Sequence, residues 1–118
     1  MKEIDINEDF KIFQKTYDMI LYGNICLKQF PKHERFVLAA DIRSSMYRLL
    51  ELIIRANKKY YKKTTLQDLD VELEVLRTYI RVAADQQLRY LPIKKYENWS
   101  KMLNEIGRML GGWIKSTR

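Results

Sequence analysis

The chain has 118 residues, 47% of them hydrophobic, with four glycines, two prolines and a formal net charge of +7. That balance suits one domain spanning 1–118 with a real core, and argues against a disordered or loop-rich chain. One cysteine (Cys26) and one histidine (His33) exclude an internal disulfide and a Cys/His metal cluster within one chain.

A first helix is expected over about 8–29. Asn7 can cap it, and Glu8 and Asp9 suit the positive end of the helix dipole. Ile6, Phe10, Phe13, Tyr17, Ile20 and Leu27 draw its apolar seam, interrupted by Asn24. Asn24 reads either as a register or partner contact, or as an exposed residue near a helix end. Phe30-Pro31 then breaks the chain, because proline is tolerated in a first helical turn and not deeper.

Helix two follows over about 32–60, with a seam of Ala39, Ile42, Met46, Leu49, Ile53, Ala56 and Tyr60. Phe36, Tyr47, Leu50 and Ile54 form a second stripe about 100° around the helix. So broad an apolar face predicts packing against two neighbours. Tyr61-Lys62-Lys63-Thr64 is a short connection. Thr65 reads as an N-cap, with Asp68 completing a variant capping box, for a third helix over about 66–90. Leu66, Leu69, Leu73, Leu76, Ile80 and Ala83 are its seam, and Leu91-Pro92 ends it.

Helix four spans about 94–116. Tyr96, Trp99, Leu103, Ile106, Leu110 and Trp113 recur at spacings of three and four. Gly107, Gly111 and Gly112 lie beside that seam. Glycine costs roughly 1 kcal/mol against alanine inside a soluble helix. Two reasons fit: close approach of another backbone, or relief of crowding beside Trp113. Short links between long helices favour antiparallel neighbours, so the expected fold is all-α: an up-down-up-down antiparallel four-helix bundle.

No apolar run approaches the ~20 residues of a membrane span, and the charged N-terminus lacks the apolar core of a signal peptide. A soluble cytoplasmic protein with no membrane partner is expected. On helix three, Val71, Val75 and Val82 project opposite the leucine seam. With Gly107 and Gly111 they are the expected contact between copies of the chain.

A basic stripe on helix two combines Arg48, Arg55, Lys59 and Lys62, with Lys58 and Lys63 nearby and no acid at 52–67. Arg77 and Arg81 form an i, i+4 pair on helix three, and Lys94, Lys95 and Lys101 add charge on helix four. Such arrays neutralise phosphates without reading bases. Tyr60, Tyr61 and Tyr90 stand near basic residues, where they can stack on unpaired bases. The competing reading is that lysines at a helix C-terminus complement its dipole and tyrosines at bundle ends pack.

An enzyme is not expected. No Gly-rich loop follows a strand, and no Glu-x-x-His pair of the di-iron bundle type exists. The mid-helix acids Glu51 and Glu105 each have a basic neighbour at helical spacing, Arg55 and Arg108. No catalytic residue, cofactor or metal is expected.

Some stretches carry a family likeness. They are Phe30-Pro31-Lys32, Glu34-Arg35-Phe36, Leu38 with Asp41-Ile42-Arg43, Leu69-Asp70, Glu72-Leu73, Leu76-Arg77 and Ile80-Arg81. The ending Ile106-Gly107-Arg108-Met109-Leu110-Gly111-Gly112-Trp113-Ile114-Lys115-Ser116 completes them. Together they make the chain resemble the accessory variability determinant (Avd) proteins of diversity-generating retroelements. Those are kin to the four-helix proteins encoded within 23S rRNA intervening sequences. The likeness covers nearly the whole chain, and the Gly-Gly-Trp-Ile-Lys ending favours the accessory proteins.

The resemblance implies a basic pentameric ring of four-helix bundles. It implies binding to the element's reverse transcriptase and to RNA, with DNA as a further ligand, in support of mutagenic reverse transcription. Arg77 and Arg81 lie in the resembling stretch and are the first expected nucleic-acid contacts, followed by the helix-two cations. Two alternatives stay open: a bundle of the rRNA intervening-sequence type, and an adaptor whose basic face docks an acidic protein.

Overall fold

The computed structural model describes residues 8–117. Asn7 and Ile6 lie outside the described residues, as do the side chains of Glu8, Asp9 and Phe10. Four helices form: α1 (Glu8–Leu27), α2 (Leu38–Lys58), α3 (Lys63–Ala84) and α4 (Ile93–Ser116). A 3-10 turn, Lys32–Glu34, precedes α2. No strand occurs among the described residues.

Each helix packs on its neighbours in the chain, α4 closes back onto α1, and the backbones of diagonal pairs stay apart. Consecutive helices run antiparallel. Ser45 of α2 meets Glu72 while Lys59, just past its end, meets Thr65. Gly107 lies against Leu73 while Asn104 meets Arg77. Lys15 of α1 pairs with Glu105, and Met19 meets Trp99. The result is a square bundle 44 Å long and 26 by 22 Å across.

Three seams bury as their spacing predicts. The aliphatic positions of α2 and α3, and Trp99, Leu103, Ile106, Leu110 and Trp113 of α4, form the core. Helix one is the exception. Its buried face is Ile12, Thr16, Met19, Gly23 and Cys26, with Ile20 and Leu27 at its edge, and Tyr17 of the expected seam is exposed. Thr16 and Gly23 sit at core positions, so polarity and small size hide the true register.

Gly23 is the close-approach glycine of the fold. A Cβ there would stand 2.4 Å from Met46 Sδ and 2.7 Å from Trp99 Cζ2. Trp99 is fully buried, and its indole N–H donates to Met19 Sδ at 3.3 Å.

The helix ends differ from expectation for local reasons. The Glu34 carboxylate accepts the Leu38 N–H at 3.2 Å, so α2 starts there and not at Lys32. Thr65 is no cap. It is buried inside α3, and its hydroxyl accepts from Lys59 Nζ at 2.9 Å. Helix α3 stops at Ala84, not near Tyr90, because Asp85 nucleates a turn. Its carboxylate takes the Gln87 N–H, and its carbonyl takes those of Leu88 and Arg89. Arg89 adopts a left-handed φ of 53°, and the Leu91 N–H returns to the Ala83 carbonyl.

Burial raises the pKa of Cys26 and of its neighbour Tyr22, because it penalises the charged thiolate and phenolate. Both groups keep their protons longer in the fold than in the unfolded chain, where a thiol titrates near 9.0. That stabilisation is complete below the unfolded value and is lost as pH rises through the folded one. The urea midpoint should therefore hold to about pH 8.5 and fall above it. Cys26→Ala should blunt the onset of that fall; an identical alkaline limb would remove the thiol from the account.

Candidate nucleic-acid interface

Lys94, Lys101, Arg108 and Lys115 stand at strict seven-residue steps along α4, all exposed and away from its buried seam. Each step advances about 10 Å, so the row runs roughly 30 Å along the bundle. A heptad step drifts about 20° on a straight helix, which winds the row slowly around α4. Among the described residues none of the four is in an ion pair. Two acids of α4 stand at helical spacing from the row: Glu97, which is exposed, and Glu105, which is paired with Lys15 of α1 at 3.2 Å. Arg108 at helical spacing was its expected partner.

Lys94 and Lys95 occupy the first turn of α4, which holds no acid. Cations there oppose the helix dipole. Helix stability does not explain them, whereas an anionic partner would.

The groove between α3 and α4, about 280 Å³ in volume, is lined by Glu74, Arg77, Arg81, Tyr96, Ser100 and Asn104. Arg77 crosses it. Its Nη1 donates to Asn104 Oδ1 at 2.8 Å and its Nη2 to the Leu103 carbonyl at 3.3 Å. A Cβ on Gly107 would sit 2.6 Å from that Nη2. Gly107 thus makes room for the chain's own guanidinium, which neither expected reason for the glycine foresaw. Arg81, one turn on, is exposed.

The helix-two cations divide. Arg55 pairs with Glu51 at 2.9 Å, and Arg48 reaches Glu72 at 3.6 Å and Glu51 at 4.0 Å. Lys62 donates to the carbonyls of Ala56 and Lys59, both at 2.7 Å, and so closes the end of α2. Lys59 holds Thr65. Lys58 and Lys63 are exposed and, among the described residues, in no ion pair. The tyrosines divide too. Tyr90 packs against Phe30 and His33 and donates to Glu34 at 3.1 Å, whereas Tyr60 and Tyr61 project from the connection.

Val71 and Val82 are exposed and Val75 is half-buried. Gly111 and Gly112 face open space. A larger uncovered apolar face lies elsewhere. Tyr17, Leu21 and Ile25 form the outward stripe of α1, and Tyr47 and Ile54 stand exposed on α2. The Tyr47 hydroxyl approaches Asn24 Nδ2 at 3.4 Å, and Arg43 donates to Asn24 Oδ1 at 3.2 Å, which joins the two helices along this face. Helix α2 does pack against two neighbours, α1 and α3, as expected. Its second stripe is nonetheless largely uncovered within the chain, with only Leu50 half-buried. The four-residue spacing of Tyr17, Leu21 and Ile25 was the available signal for the rest of this face.

No helix among the described residues is long and apolar enough to cross a membrane. A family model described as bAvd-like matches residues 10–117. No match is found among curated proteins.

Proposed function

The chain belongs to the bAvd-like family, and from that premise we propose that it is a non-catalytic accessory subunit of a diversity-generating retroelement. In this reading it binds the element's reverse transcriptase and its template RNA or cDNA through a basic surface. The polymerase supplies the chemistry, and this chain supplies a cationic platform for mutagenic reverse transcription.

The observation that carries the reading is the α4 row of Lys94, Lys101, Arg108 and Lys115, with Arg81 exposed at the α3–α4 groove. Cations at regular steps, outside any ion pair among the described residues, suit a phosphate backbone and carry no base code. Lys58 and Lys63 extend the surface at the α2–α3 end. Arg48, Arg55, Lys59 and Arg77 would contact phosphate through donors left over from their intramolecular bonds, whereas Lys62, its three donors directed at carbonyls, would act through its charge alone. Arg81→Ala is therefore a cleaner test than Arg77→Ala, which also empties the space over Gly107.

Two unlike apolar faces support assembly into a ring, a pentamer by family likeness. One is the α1–α2 face, and the other is Val71, Val75 and Val82 with Gly111. A contact between unlike faces of neighbouring copies closes into a ring when its rotation allows. Gly107 is filled by Arg77, so Gly111 carries the helix-four share. Ile25→Asp and Val71→Asp should each reduce the native mass, measured by light scattering, without loss of helicity. An unchanged mass for either variant removes its face from the interface.

The reading as a whole is tested by gentle purification from the native host at low salt. A reverse transcriptase together with one abundant non-coding RNA supports it. Ribosomal RNA fragments without a polymerase point to the intervening-sequence kin. A single acidic protein without RNA overturns it in favour of a docking adaptor.

A further inference from the structure

The connection between α2 and α3 puts two aromatic rings into solvent. Helix α2 ends at Lys58, so Tyr60 leaves the apolar seam that its spacing suggested. Tyr60 is 87% exposed and Tyr61 83%. Their ring centroids are 4.7 Å apart and their planes meet at 88°. An edge-to-face pair of this kind leaves ring faces open on its outer sides.

The tip is held in place rather than left loose. The Lys62 ammonium reaches the carbonyls of Ala56, Asn57 and Lys59, and Lys59 grips Thr65 at the start of α3. Lys58 and Lys63 flank the rings and are exposed, and no acid occurs at 52–67. Two open aromatic faces between cations match a ligand that offers flat apolar faces on an anionic thread.

We infer that Tyr60 and Tyr61, flanked by Lys58 and Lys63, form a stacking platform for unpaired nucleotides, so that this end of the bundle prefers single-stranded nucleic acid over duplex. The inference rests on the proposed nucleic-acid reading and deepens it. Base–aromatic stacking tolerates any sequence, because every base has a flat face, and a duplex hides those faces except at its ends. The α4 row neutralises phosphates on either form; the tyrosine corner tells them apart.

The test uses the full chain in its native assembly. Fluorescence anisotropy reads binding of a labelled 20-nucleotide unstructured RNA and of a 20-base-pair RNA duplex, both at low salt. Tyr60→Ala/Tyr61→Ala should weaken single-strand binding about 10- to 100-fold and leave duplex binding within about twofold. Tyr60→Phe/Tyr61→Phe should bind like the parent, since the rings and not the hydroxyls do the stacking. Both residues are exposed, so helicity and native mass should not change.

Loss of strand binding together with a change in native mass would make the rings an assembly contact and overturn the platform. Equal loss on strand and duplex overturns it as well. Unchanged strand binding in the alanine pair overturns the platform while leaving the basic surface standing. If the parent chain binds neither ligand, or polyglutamate displaces RNA as well as RNA does, both readings fall.

Discussion

Trp99→Ala should cost about 4 kcal/mol of stability, the scale for removing a fully buried large aromatic. Its ring fills the centre of the bundle and rests on Gly23 of α1. Gly23→Ala should cost about 2 kcal/mol, even though alanine is the better helix former by about 1 kcal/mol. The added carbon has nowhere to go, because Met46 and Trp99 are both wholly buried.

The two sites must therefore couple. Trp99→Phe shortens the ring, so Gly23→Ala/Trp99→Phe should lose less than the two single changes added together. Gly112→Ala is the control: its Cβ meets open space, and the variant should gain about 0.5–1 kcal/mol. Urea melts followed by circular dichroism at one protein concentration give these numbers. A Gly23→Ala chain as stable as its parent would show that α1 and α4 can separate and that Gly23 does not set their distance.

The second large effect is electrostatic. Removing Lys101, Arg108 and Lys115 together should flatten the salt dependence of single-strand binding by about 2 in slope, at about 0.7 per phosphate contact. At 0.1 M salt that corresponds to about 100-fold weaker binding, and the gap should close as salt approaches 1 M. Lys28→Ala/Lys32→Ala/Arg35→Ala removes as many charges at the far end of α1 and the start of α2. Each triple variant carries +4 in place of +7, three cations fewer. The second should lose less than about tenfold if position matters and not net charge alone. Equal losses in the two variants would mean that binding follows net charge and that the α4 row has no special part.

Much of the bundle was legible in the sequence, because apolar spacing and burial are one signal for α2, α3 and α4. Where a core position carries Thr16 or Gly23, the signal inverts: the expected α1 seam held Ile20 and Leu27, which are buried, but took in Tyr17, which is exposed. Helix ends failed for a related reason. The Glu34 carboxylate at the Leu38 N–H, and the Asp85 turn with a left-handed Arg89, are side-chain and backbone choices without a strong breaker in the sequence. Thr65 carries a capping residue type but lies inside the α2–α3 contact.

The charges were legible in number and not in pairing. Glu51, three residues on, was a visible partner for Arg48, yet the acid that comes closer, Glu72, belongs to α3. The seven-residue row on α4 was visible in the spacing of Arg108 and Lys115. Only the fold shows that Glu105 turns away toward Lys15 and leaves that row in place.

The outward stripes of α1 and α3 lie on diagonal helices with the core between them, so they face away from each other. A copy damaged on one stripe still offers the other to a healthy neighbour. If rings grow through unlike faces, such a copy enters the assembly and stops it there. Co-expressed with the parent chain, Ile25→Asp would act as a poison subunit, and intact rings would decline as a power of the healthy fraction rather than in proportion to it. One altered gene copy would then be dominant.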